Sequence, residues 1–243
     1  MKYSSKIWIG LSAAAALTAV GAAALRENLA VRHYTLYSDK ITEPVKLAVM
    51  TDLHSTLYGD GQEKLLRAVE NENPDAIVLV GDIVDDRRTA LGAKCLFAGI
   101  GKQFPCYYVT GNHELGKIDA VKRMIRSYGI PVLEGTSAKL VRQNILIAGV
   151  DDPAGFSKSD PTGWQKQLEA CGKAAAENER ACRILLCHRP MLMPKAASSL
   201  FYAVTRTADR CVYLILSTAF MRRIRGFSPN TPAAVISWRT MFP

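Results

Sequence analysis

The feature that most constrains this chain recurs four times: an apolar run long enough for a buried strand stops abruptly in side chains able to hold a metal ion. Lys46-Leu-Ala-Val-Met-Thr51 ends in Asp52-Leu53-His54, and Ala76-Ile-Val-Leu-Val80 ends in Gly81-Asp82. Cys106-Tyr-Tyr-Val-Thr110 ends in Gly111-Asn112-His113-Glu114, and Arg183-Ile-Leu-Leu-Cys187 ends in His188-Arg189-Pro190. Near-continuous apolar runs are what strands buried on both faces require, and an open α/β sheet gathers its ligand groups just beyond the strand ends. Three of the chain's four histidines stand there, the other being His33.

The intervening segments fit crossover helices. Residues 59–73 carry Leu65, Leu66 and Val69 at helical spacing and close at Asn73-Pro74, which makes a βαβ unit of right-handed sense. Helical patterns recur over 89–101, 117–128 and 163–176, with further strands expected over 130–133 and 144–150 and an exposed strand over 34–37. The expected class is α/β. At 243 residues, with 49% hydrophobic and 22% charged, the chain can bury one sizeable core.

A formal charge of +9 raises the question of a nucleic-acid partner. Residues 201–243 carry six Arg and one Asp, more than half of that excess, and the rest is spread without a basic run. A nucleic-acid footprint needs cations concentrated on one face, so none is inferred. A dinucleotide-binding enzyme is disfavoured too, since no Gly-x-Gly-x-x-Gly follows any strand. The six cysteines form no Cys-x-x-Cys pair and read as small hydrophobes.

The N-terminus points to a membrane. Lys2 and Lys6 precede residues 7–25, nineteen residues without a charge, which as a helix would extend roughly 28 Å, close to the hydrocarbon thickness. An uncleaved single-pass transmembrane helix is expected, placing the following domain on the extracytoplasmic side. A cleaved signal ending at Ala22-Ala23-Ala24 is the alternative. Arg26 and Arg32 dilute the charge asymmetry that sets orientation.

The blocks Asp-x-His, Gly-Asp, Gly-Asn-His-Glu and a lone His, in that order over about residues 45–190, resemble the calcineurin-like metallophosphoesterases. The resemblance implies a layered α/β/β/α sandwich holding two divalent metal ions (Mn, Fe, Zn or Co) that share a hydroxide, and a phosphate mono- or diester substrate, with a lipid-linked pyrophosphate among the candidates. Carried over residue by residue, Asp52 and His54 match ligands of the first metal, Asp82 the bridging ligand, and Asn112 and His188 ligands of the second. His113 matches the residue facing the leaving-group oxygen, where an imidazole near its own pKa can donate a proton. Asp85, Asp86 and Asp151 read as solvated loop residues, with Asp85 the best candidate for steadying a ligand. Arg189 either holds phosphate or is exposed.

The family's fifth block, Gly-His-x-His-Gly-Gly-Gln, is missing, and no histidine follows His188. Composition also breaks: the first 200 residues use 14 Lys and 11 Arg, whereas residues 201–243 use no Lys and six Arg. A displaced reading frame accounts for both. With permitted codons, GCG for Ala203 followed by GTC-ACG-CGC-ACG-GCG-GAC-AGG for Val204 to Arg210 reads in the displaced frame as Gly-His-Ala-His-Gly-Gly-Gln. Ser198 to Tyr202 can likewise encode Phe-Glu-Leu-Val-Leu, and Phe220 to Ala234 a segment similar to that of membrane-anchored members. The expected organisation is therefore a membrane segment over 1–26, an incomplete phosphoesterase domain over 45–197, and an out-of-frame tail over 198–243 that deprives the second sheet of its last strands. Two functional classes follow: a metallophosphoesterase impaired in this chain, or an inactive membrane-anchored remnant that retains a phosphate-shaped pocket.

Overall fold

The computed structural model describes residues 29–156, 160, 162–189, 202–206, 212–215 and 234–242; the expected membrane segment over 7–25 lies outside them. In chain order the elements are β1 (Ala30–Ser38), β2 (Val45–Met50), α1 (Glu63–Glu72), β3 (Ala76–Val80), α2 (Leu91–Ile100), β4 (Cys106–Val109), α3 (Ile118–Ser127), β5 (Thr136–Leu140), β6 (Ile145–Gly149), α4 (Gly163–Ala176), β7 (Cys182–Leu186), β8 (Tyr202–Arg206), β9 (Val212–Ile215) and β10 (Ala234–Phe242). They form two five-stranded sheets, ordered β1-β10-β2-β3-β4 and β5-β6-β7-β8-β9.

The period of two along each strand divides its side chains between two cores. Ala48, Met50, Ile77, Leu79, Cys106 and Tyr108 face one core, shared with Leu65 and Val69 of α1, Leu96, Phe97 and Ile100 of α2, and Val121 and Ile125 of α3. Their neighbours Leu47, Val49, Ala76, Val78, Val80 and Val109 face the other sheet, where they meet Ile145, Ile147, Cys182, Ile184 and Leu186. On the far side of β6 and β7, Ala148, Leu185 and Cys187 pack under Trp164, Cys171 and Ala175 of α4. Helices therefore cover the outer faces of two sheets packed against each other.

β2, β3 and β4 are parallel to one another, and β6 to β7, so each crossover helix lies where the sequence expects it. The expected strand over 130–133 reduces to one parallel bridge between Val132 and Tyr108. Pro131 within it lacks the N–H a longer ladder needs. β5, of sequence TSAKL, was not anticipated; it pairs antiparallel with β6 as an edge strand and is largely exposed.

The expectation that the tail leaves the second sheet short requires correction. β8 lies parallel to β7, β9 antiparallel to β8, and β10 runs between β1 and β2. For β8 and β9, which complete the second sheet, the physical reason is that β-branched and aromatic residues are dense in them and the open edge of β7 accepts an extended partner.

Among the described residues the cysteines are free: Cys106, Cys171, Cys182 and Cys187 are buried and Cys95 is half-buried. Burial pushes the thiols of Cys106, Cys182 and Cys187 up to about 12. In the native protein at pH 8 these three are expected to resist a thiolate-directed reagent, and mass spectrometry of labelled peptides will find them modified only after denaturation.

Candidate metal centre

All six residues singled out from the strand ends lie along one edge of the structure. Asp52 and His54 follow β2, Asp82 follows β3, Asn112 and His113 follow β4, and His188 follows β7 of the opposite sheet. Carboxylate and imidazole ligand atoms of Asp52, Asp82 and His188 fall within 4.8 Å of one another, as do those of His54, Asp82 and His113. Asp82 belongs to both groups. Asn112 is half-buried between Gly111 and His113.

The backbone reaches this arrangement through conformations that side chains seldom adopt. Asp52, His54 and Asp82 have φ of 56°, 48° and 53°, and Ser55 has 54°. Left-handed φ at non-glycine residues carries strain and concentrates where a site dictates the geometry. Backbone bonds hold the turns together: the amides of Asp52, His54 and Ser55 donate to the carbonyls of Gly81, Asp82 and Ile83 at 3.1, 2.9 and 2.9 Å. Thr51 Oγ1 donates to the Val80 carbonyl at 2.8 Å.

Two glycines permit close approach at this edge, Gly81 between the two sheets and Gly111 between neighbouring strand ends of one sheet. Gly81 has φ of +75°, and a Cβ there would lie 2.6 Å from the His188 ring; a Cβ on Gly111 would lie 2.3 Å from Asp82 Oδ1. Gly81→Ala combines left-handed strain of roughly 1–2 kcal/mol with that overlap. It is expected to lower the denaturation midpoint clearly and to displace His188, which a change in the imidazole NMR signals will report.

His188 is fully buried, with Nδ1 2.8 Å from the Val80 carbonyl and Nε2 3.1 Å from Asp82 Oδ2. Burial alone would lower the pKa of His188, but the hydrogen bond and charge of Asp82 outweigh it and the pKa is raised. Burial likewise opposes ionisation of Asp82, yet His188 draws its carboxyl down to about 2. Beside them, Asp52 raises the pKa of His54 against the opposing effect of burial, with Asp82 and Asp85 adding to the rise. His54 Nδ1 is buried and makes no hydrogen bond.

His113 is oriented by a residue the sequence did not single out for that task. Its Nδ1 lies 2.9 Å from Asp86 Oδ1. An ionised carboxylate only accepts, so Nδ1 carries the hydrogen and Nε2 is left for other partners. The hydrogen bond with His113 lowers the pKa of Asp86. Asp85 lies 3.4 Å from His54 Nδ1 and accepts from the amides of Arg87 and Arg88 at 2.7 and 2.8 Å. A cavity of about 420 Å³ opens beside His113, lined by Asp86, Arg88, Lys94, Lys117 and Met124 among others.

Two sequence readings are corrected here. Asp151 is not a solvated loop residue: it is 3% exposed, accepts from Lys122 Nζ at 2.7 Å and from Thr110 Oγ1 at 2.7 Å, and ties α3 to the second sheet. Arg189 is neither a free phosphate contact nor merely exposed, because its guanidinium is paired with both oxygens of the buried Asp152. Burial forces such charges to find partners, and sequence spacing does not reveal which.

Glu114 is the residue for which the sequence showed no role of its own. It is 1% exposed, and its two oxygens accept four hydrogen bonds: from Gly111 N at 2.7 Å, Asp82 N and Val84 N at 3.1 Å each, and Tyr108 Oη at 2.6 Å. Burial raises its pKa, an effect opposed by the Tyr108 bond and reinforced by the charge of Asp82. All four partners donate, so the ionised carboxylate is the form that satisfies them. Its place as the fourth residue of Gly-Asn-His-Glu was the available clue.

The site suits divalent cations on the chemistry of its donors. Carboxylate oxygens and imidazole nitrogens are the ligands that borderline divalent metals accept. The two overlapping groups share one carboxylate, and a buried imidazole nitrogen of His54 lacks a hydrogen bond.

Comparison with known proteins agrees. An uncharacterised metallophosphoesterase of Aquifex aeolicus is 30% identical over 175 residues, covering 69% of this chain and 65% of its own length. A Danio rerio transmembrane protein with metallophosphoesterase domain is 28% identical over 118 residues, covering 44% of this chain and 27% of that protein. An uncharacterised metallophosphoesterase of Campylobacter jejuni is 27% identical over 157 residues, covering 62% and 40%. The chain thus spans between about a quarter and two thirds of the length of these relatives. Residues 45–209 match the calcineurin-like phosphoesterase family, and the chain belongs to that family.

Proposed function

We propose that this protein is built to hydrolyse phosphate mono- or diesters with two divalent cations, held by Asp52, His54, Asp82, Asn112 and His188. The observation that carries this reading is that Asp82 has ligand atoms of Asp52 and His188 within 4.8 Å in one group and of His54, beside His113, in another, since a carboxylate has two oxygens and can serve two ions. When bound, a metal pair supplies an activated water and neutralises charge on the phosphoryl oxygens.

The chain's own residues do the rest. Asp86 holds the Nδ1–H of His113, so that in the imidazolium form, which carries a second proton on Nε2, that proton can pass to the departing oxygen and leave the neutral imidazole. The cavity beside His113 receives the leaving group. Glu114 keeps the turns bearing Asp82 and Gly111 together.

The missing fifth block bears on this chain's competence. We read residues 198–243 as encoded out of frame, which withholds two histidines the family places at the metals and leaves activity impaired. The alternative, a remnant that binds phosphate without turnover, rests on the same absence. Attachment to a membrane through residues 7–25 is part of the proposal; the names of the Danio rerio relative and of a similar Bos taurus transmembrane protein with metallophosphoesterase domain support it.

The test is hydrolysis of an aryl phosphomonoester and diester in Mn²⁺ by the protein with its tail restored to frame, before and after chelation. Activity that chelation removes and Mn²⁺ returns is expected; a restored protein inactive on every phosphoester leaves the binding reading.

A pH dependence follows from the raised pKa values of His54 and His188. A proton on either imidazole must leave before a metal binds. Metal affinity is therefore expected to be lower at pH 6 than at pH 8, and calorimetry in buffers of different ionisation enthalpy will register proton release. Equal affinity and no release would contradict it.

A further inference from the structure

The described residues expose few large hydrophobic side chains: Tyr34, Leu57, Leu91 and Val141. Two of them share a rim beside the candidate metal centre. Leu57, 44% exposed, lies in the turn after β2, and Leu91, 54% exposed, starts α2. The segments touch, because a Cβ on Gly92 would lie 2.3 Å from the Ser55 carbonyl and 2.7 Å from that of Thr56. Gln62 Nε2 bridges them, donating to the carbonyls of Thr56 and Gly92 at 2.8 and 3.0 Å.

Basic groups border these leucines. The Arg87 side chain is 86% exposed, Arg88 is exposed while donating to Thr56 Oγ1 at 2.8 Å, and Lys94 is exposed on α2. The neighbouring carboxylates are partly engaged: Asp85 by two backbone amides and Asp86 by His113. Asp60, also exposed, opposes the trend.

The course of the chain aims this rim. β1 runs antiparallel to β10, which is parallel to β2, and the pairing sets Val31 opposite Met241 and Met241 opposite Met50. The start of β1 therefore lies level with the end of β2, two residues before Asp52. Only residues 26–29 separate Ala30 from the apolar stretch 7–25, a reach of about 14 Å at roughly 3.5 Å per extended residue. A chain tethered through that stretch has its metal-centre edge beside the membrane.

We propose that the rim of Leu57, Leu91, Arg87 and Arg88 docks on the headgroup layer of an anionic bilayer, holding the candidate metal centre over lipid-borne phosphoesters. Apolar side chains flanked by cations are what such an interface takes up. The docking stands apart from the chemistry; only the substrate class it implies, a phosphoester carried on a lipid, rests on the function proposed above.

The test uses the full chain in vesicles containing phosphatidylglycerol and brominated phosphatidylcholine. Leu57→Trp, Leu91→Trp and Val141→Trp are compared by their emission above that of the parent protein. Val141, 81% exposed, lies in the turn between β5 and β6 and has no part in the rim. A side chain seated about 5–10 Å into the interface is within reach of the bromines, and a loss of about two-fold or more is expected for Leu57→Trp and Leu91→Trp but not for Val141→Trp. Replacing phosphatidylglycerol by zwitterionic lipid is expected to weaken that loss. Equal quenching at all three positions, or none at Leu57→Trp and Leu91→Trp, would overturn the docking. A protein that docks yet cleaves no phosphoester would overturn the proposed chemistry alone.

Discussion

Restoring the tail to the displaced frame is expected to raise Mn²⁺-dependent phosphoester hydrolysis by about two orders of magnitude or more. Loss of a residue that merely supports a metal ligand typically costs about 10–100-fold in affinity or activity, and a ligand should matter at least as much. The two histidines that the resemblance implies are absent here, and no histidine follows His188. Residues 201–243 contain no His and no Glu, and their single Asp is Asp209. Cationic Arg222, Arg223 and Arg225 would repel a metal ion. β8 and β9 extend the sheet, but strands supply covering, not ligands. Steady-state rates of the two proteins on one aryl phosphodiester, with His113→Ala in the restored version as control, make the comparison. Equal rates would refute the functional consequence of the proposed frameshift.

The second large effect is expected at Glu114. Glu114→Ala would leave the buried amides of Asp82, Val84 and Gly111 without their acceptor, and the Tyr108 hydroxyl with them. At roughly 1–3 kcal/mol for each buried group left unsatisfied, a loss of about 3 kcal/mol or more is expected. That is a large part of an ordinary domain's stability of about 5–15 kcal/mol. Glu114→Gln keeps the shape but turns an amide NH₂ toward groups that themselves donate, so it rescues little. Denaturant midpoints of the two variants test this, and a midpoint shared by Glu114→Ala and the parent would contradict the clamp.

What the sequence made legible follows from periodicity. β2, β3, β4 and β7 could be read because buried strands need unbroken apolar runs, and their ends because turns there carry ligand-type side chains. β5 escaped because an exposed edge strand imposes no apolar pattern, as its TSAKL sequence illustrates. β10 escaped because its place between β1 and β2 depends on pairing across some two hundred residues of chain, which local patterns do not encode.

At the site, residue types were legible and partnerships were not. Asp86, Asp151 and Arg189 looked like loop charges. Their roles come from contacts with His113, Lys122 and Asp152, which only the packing of separate elements creates. The rim of Leu57 and Leu91 is of the same kind, since it forms only when the turn after β2 meets the start of α2 at Gly92.

The most direct measurement is Mn²⁺ binding by the chain as written, followed by calorimetry at pH 8, beside Asp82→Ala. Saturable binding in the parent is expected, because Asp52, Asp82 and His188 bring ligand atoms within 4.8 Å of one another. Asp82→Ala is expected to weaken it, since two of the three groups of ligand atoms share that carboxylate and the third, Asp85, Asp86 and His113, does not. Binding unchanged by Asp82→Ala, or no binding in either protein, would contradict the metal centre on which the proposed function depends.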